Sequence, residues 1–351
     1  MKRITVILIS LIAVLLLAGL CSCKQEVAPE KYTDNVPQWE KSENGLQNLP
    51  DINTAGTETG VTGALKDGVN HPPVFESASN LIVMVCEGLT SELIEKAVSQ
   101  YGDLILQSLP VKGNTISKFS RDDGMTLAQY TINWLDKTKT GIMTWGETSS
   151  NSMRRMTTGD GNDAERAQVN YNQFMINPPL VYIMGNGDFK DAFSADSLNN
   201  MYKAGGYAVS TLDEAIPLYK NDEVEFNAPG HPTKYSAVRK LYTIFGDGTT
   251  LPSYRREMAF SLAWMQSVMN EDGFCLLSTY SSSSDLEEKD VKDFDEGVAV
   301  AVKYVLENPD TVLLICGCPT DGSEETVCFY GIGPKLTTQA TLFECISALY
   351  K

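Results

Sequence analysis

The clearest pattern of apolar and polar positions lies at Asn80 to Ser91, N-L-I-V-M-V-C-E-G-L-T-S. Leu81 to Val85 is an uncharged apolar run containing Ile82, Val83 and Val85, all β-branched, and it predicts a strand covered on both faces. The run stops at Cys86-Glu87-Gly88. Thr90 and Ser91 can then cap a helix beginning at Glu92, with Leu93, Ile94, Ala97, Val98 and Tyr101 on one face. Strand, tight turn and helix form the opening unit of an open α/β sheet, in which ligands sit at the carboxyl ends of strands.

The same alternation recurs downstream. Gly141 to Trp145 and Leu180 to Met184 read as strands. A helix from about Arg255 to Asn270 leads into a strand over Phe274 to Thr279. Val291, Phe294, Val298, Val302 and Val305 mark one face of a long helix, stopped by Asn308-Pro309-Asp310. Val312 to Ile315 predicts a buried strand, Val327 to Ile332 a last one, and a closing helix starts near Ala340. Strands alternating with helices predict a three-layer αβα sandwich with a mostly parallel central sheet. Asn221 to Lys234, containing His231, reads as an irregular insertion, and Asp122-Asp123-Gly124-Met125 as a loop.

The first 79 residues carry a different pattern. Lys2 and Arg3 precede an apolar stretch from Ile4 to Leu20, as in a secretory leader. Leu20-Cys21-Ser22-Cys23 resembles a bacterial lipobox, which makes Cys23 the lipidated first residue of the mature chain. A retained membrane anchor is the alternative. Residues 24–79 are rich in Gly, Asn, Asp, Glu, Pro and Thr, so they read as a flexible tether ahead of a domain spanning 80–351. This organisation predicts an extracytoplasmic, membrane-anchored lipoprotein. His71, before two prolines at the tether's end, reads as a surface residue.

Composition narrows the chemistry. The 351 residues are 42% hydrophobic, enough for a sizeable core, and the formal net charge of −17 argues against nucleic acid as a partner. Only two histidines are present. A catalytic zinc site takes three protein ligands, mostly imidazole with some carboxylate or thiolate, so two such sites cannot be built from His231 and its neighbours. Glu87 is the acid placed where a metal or phosphate ligand is expected, or else a solvated acid at a turn. Asp160-Gly161-Asn162-Asp163 lacks the twelve-residue spacing and closing Glu of a calcium loop.

In order along the chain, several segments resemble the alkaline phosphatase family. Asn80 to Thr90 is similar to the family's N-V-I-L-F-I-G-D-G-M-G, and Leu180 to Phe189, L-V-Y-I-M-G-N-G-D-F, to V-D-V-I-L-G-G-G-x-x-F. Ala204 to Ala215, Lys240 to Met265, Gly273 to Thr279, Phe294-Asp295-Glu296, Asn308 to Ile315 and Phe329 to Pro334 follow in family order. The resemblance implies two zinc ions and a magnesium, a serine nucleophile and an arginine clamp. Carried over by position, most of that equipment is replaced. The first-turn aspartate becomes Glu87. The nucleophile segment T-D-S-A-A falls on Met125 to Gln129, with Leu127 at the serine position and Thr126 the nearby hydroxyl. Ser150 and Ser152 stand near family magnesium ligands, and Thr279 replaces a ligating glutamate. Tyr280 to Glu287 lacks both histidines of G-S-R-I-D-x-x-G-H, leaving Asp285 as a remnant acid. Cys316-Gly317-Cys318-Pro319-Thr320 stands where the family has T-A-D-H-E. Arg154, Arg155 and Arg166 all fall in the clamp region, and the Arg154-Arg155 pair reads as solvated charge rather than as an anion site.

The cysteines add one further possibility. Cys86, Cys316 and Cys318 are expected at the carboxyl ends of strands, as a thiolate metal site, a disulfide (Cys86 with Cys318) or small buried hydrophobes. The expectation is a binding or scaffolding module on a phosphatase-like scaffold, with no cofactor and an unidentified small-molecule or protein ligand. The alternative is a phosphomonoesterase using zinc or magnesium on Glu87 and Asp285, with Thr126 or a nearby serine as nucleophile.

Overall fold

A computed structural model describes residues 78–134, 139–146, 151–157, 180–185, 206–209, 224–228, 231–235, 240–244, 253–268, 273–282, 285–321, 323–334 and 336–349. All of them lie in one compact unit, Thr33–Lys351. The leader, the lipobox with Cys23, the tether up to residue 77 with His71, and Ser150, Arg166 and Asp160 to Asp163 lie outside the described residues.

The central strand β1 (Asn80–Glu87) is the one the apolar run predicts, and everything from Asn80 to Cys86 is buried. Strand periodicity sends Ile82, Met84 and Cys86 into one apolar core and Leu81, Val83 and Val85 into another on the opposite face. β1 lies between β9 (Phe274–Tyr280) and β10 (Thr311–Cys318), parallel to both. Asn80 ties the three together at their amino ends. Its side-chain amide donates to Thr311 Oγ1 at 3.2 Å, and its carbonyl accepts from Phe274 N at 3.1 Å.

The other strands are β2 (Val111–Ile116), β3 (Lys139–Trp145), β4 (Leu180–Gly185), β5 (Gly206–Val209), β8 (Lys240–Ile244) and β11 (Thr326–Ile332). Among the described residues they complete a nine-stranded sheet in the order β2-β11-β10-β1-β9-β3-β4-β8-β5. From β10 to β5 every pairing is parallel; β11 turns back antiparallel to β10 and to β2. Two further strands, β6 (Val224–Ala228) and β7 (His231–Tyr235), pair antiparallel with each other outside the main sheet. The irregular insertion expected there is therefore a regular two-stranded unit.

Helices cover both faces. In front lie α1 (Ser91–Tyr101), α4 (Tyr254–Val268) and α5 (Glu288–Glu307), and their apolar residues share a core with Ile82 and Met84. Behind lie α2 (Leu127–Trp134), α3 (Asn151–Thr157) and α6 (Leu342–Leu349), which share the other core. This is the three-layer αβα sandwich that the alternation predicts. Thr90 caps α1 as its position suggests, accepting from Leu93 N at 3.2 Å. The chain crosses closely between the front helices at Gly297, where a Cβ would lie 2.3 Å from the Tyr254 ring. Asp295, buried on α5, accepts from the backbone N–H groups of Ile105 and Leu106 at 3.0 and 2.9 Å, holding the 3₁₀ turn Ile105–Ser108.

Candidate functional site

The carboxyl ends of β1, β3, β9 and β10 meet at one edge of the sheet, and the sequence candidates gather there on two different faces. The register pairs Cys86 with Gly317 and Glu87 with Cys318. Aligned residues of parallel strands share a face, so Cys86 points to the front, while Glu87, Cys316 and Cys318 lie on the back. The Cys86–Cys318 disulfide is thus ruled out, because the two thiols project to opposite sides of the sheet. All six cysteines from Cys86 to Cys345 are buried free thiols. Burial pushes the Cys86 and Cys316 thiols well above their ordinary range, which makes them small hydrophobes rather than nucleophiles.

Glu87 is half-buried, and one of its oxygens is engaged. Its Oε2 accepts from Ser152 N at 3.1 Å and from Ser152 Oγ at 2.9 Å. Ser152 sits in the first turn of α3, so Glu87 satisfies a backbone donor that the short helix leaves unpaired. One turn along the same helix is Arg155, only 2% exposed. It donates to Ser117 O at 2.7 Å and Ser323 O at 2.9 Å, and its guanidinium lies 5.2 Å from the centroid of the Phe119 ring. Arg155 is therefore a buried strut between α3, the end of β2 and the loop before β11. The reading of Arg154-Arg155 as solvated charge does not hold for it.

Thr126 is completely buried, and its hydroxyl is committed twice. It donates to Thr157 O at 3.0 Å and accepts from Gln129 N at 3.2 Å, while Gln129 Oε1 accepts from Thr126 N at 2.9 Å. The Thr126-x-x-Gln129 pattern is a capping box at the start of α2. Thr279 is buried, its hydroxyl donating to Thr144 Oγ1 at 3.3 Å. Asp285 lies in an exposed stretch after β9. Among the described residues, no group of three or more His, Cys, Asp or Glu side chains is placed to hold a metal ion.

The front side of the same edge holds groups that sequence reasoning missed. Trp145, ending β3, stacks on Tyr280, ending β9, with ring centroids 4.4 Å apart. Tyr254 packs edge-on against Tyr280 and shares a 2.6 Å hydrogen bond with Ser278. Tyr280 donates to Asp293 Oδ2 at 3.2 Å. Burial raises the Asp293 carboxyl from its ordinary value to about 6. Glu257 of α4 is fully buried, and neither of its oxygens has a hydrogen-bond partner among the described residues. Desolvation, and then the nearby Asp293, push its carboxyl well above the ordinary range. An acid directly before Met258-Ala259-Phe260 in a helical apolar stretch was the available signal for it.

An alkaline phosphatase from the Antarctic bacterium TAB5 is similar to this chain with a TM-score of 0.50 at 13% identity, covering 74% of this chain and 92% of that one. The fold is alkaline-phosphatase-like. Two more alkaline phosphatases are similar. That of Thermus thermophilus has a TM-score of 0.49 at 18% identity, with 77% of this chain and 63% of that one covered. The cold-active enzyme of Shewanella sp. has 0.47 at 11%, with 68% and 67% covered. No family model matches the chain, and no curated protein matches it. On this alkaline-phosphatase-like scaffold, Glu87 ends the central strand and Arg155 lies beneath it.

Proposed function

We propose that this chain is a lipid-anchored extracytoplasmic protein whose alkaline-phosphatase-like domain has given up two-zinc phosphomonoester hydrolysis and serves as a binding or scaffolding module. The observation that carries this reading is the use of Glu87. The acid at the position of the family's first-turn ligand anchors the amino end of α3 through Ser152. The rest of the donor set does not fit two zinc ions and a magnesium either. Thr279 stands for a ligating glutamate, Cys316 to Thr320 for T-A-D-H-E, and two histidines in the whole chain cannot supply the imidazoles. No hydrolytic step is derived through metals on this chain.

The test is metal analysis of the purified full chain together with hydrolysis of p-nitrophenyl phosphate in added zinc and magnesium. The expected result is no stoichiometric metal and no turnover above buffer. Stoichiometric zinc with turnover that disappears in Glu87→Ala overturns the proposal. For the anchor, Cys23→Ala is expected to move the chain from the membrane fraction to the soluble one.

A further inference from the structure

We draw no further inference here: the strongest candidate, the carboxyl pair of Glu257 and Asp293 on the front of the carboxyl edge, is an acidic cluster that no third His, Cys, Asp or Glu side chain completes as a metal site among the described residues, and nothing in the structure shows what would bind there.

Discussion

Glu87 and Glu257 are both glutamates near the carboxyl edge of the sheet, one behind it and one in front, and their surroundings are opposite. Glu87 keeps partial access to water and receives an N–H and an O–H from Ser152. Glu257 has lost water entirely and receives no hydrogen bond from the described residues. Asp295 completes the comparison, being as buried as Glu257 but supplied with two backbone N–H donors. The lesson is that burial alone does not say what an acid does in a fold; the donors around it do. At the back of the edge the acid is bonded to Ser152. The front carries the acid whose bonding is unfinished.

The largest expected effect concerns the pH dependence of stability. Burial raises the Asp295 carboxyl from its ordinary value to about 6, although the Leu106 and Ile105 N–H groups pull it down. The folded state therefore binds this proton more tightly than the unfolded chain does. Its contribution is fully present below the unfolded value near 4 and is lost as pH rises through 6. Two pKa units correspond to on the order of 3 kcal/mol, so urea midpoints are expected to fall from pH 4.5 to pH 7. In Asp295→Asn that slope is expected to shrink by the share this group carries. An unchanged slope would mean that the two N–H donors balance burial completely.

A middle-sized effect separates the two glutamates. Glu87→Ala removes the acceptor of two hydrogen bonds to a charged group and exposes the first turn of α3. A loss of about 2 kcal/mol is expected. Glu257→Met fills the same space without a carboxyl and is expected to gain about 1 kcal/mol. Opposite signs in urea midpoints sustain the comparison. A loss in both variants would show that Glu257 is bonded in solution.

Legibility followed the range of the interactions. β1, the Thr90 cap and the valine face of α5 are written in contiguous residues, and the structure places each where the pattern does. Short or polar elements escaped: β2, V-K-G-N-T-I, alternates too weakly, and β5 and β8 have only four and five residues. The cysteine pairing failed for a different reason. Parity along β1 and β10 can be counted from sequence, but the register that aligns Cys86 with Gly317 cannot, and it decides which thiols share a face. Arg155 looked solvated because its neighbour is also arginine, and its carbonyl partners come from residues far away in the chain. The resemblance to alkaline phosphatases pointed to the fold the structure has; what the residues at the sheet's carboxyl edge touch depended on partners that no motif carries.

The smallest effect tests Thr126, where one hydroxyl has two possible meanings. As a cap it is used in both directions, its proton on Thr157 O and a lone pair on Gln129 N. A nucleophile needs that proton taken by a base and a free path to phosphorus, and a fully buried hydroxyl donating to a backbone carbonyl has neither. Thr126→Ala is therefore expected to cost about 1 kcal/mol through the lost cap. Thr126→Ser, which keeps the oxygen, is expected to recover most of it. Mass spectrometry after incubation with a phosphate ester is expected to find no phosphoryl group on Thr126. A phosphorylated Thr126 would make the capping box a resting state that the hydroxyl leaves to react, and Glu87 would then need to be read again as a ligand.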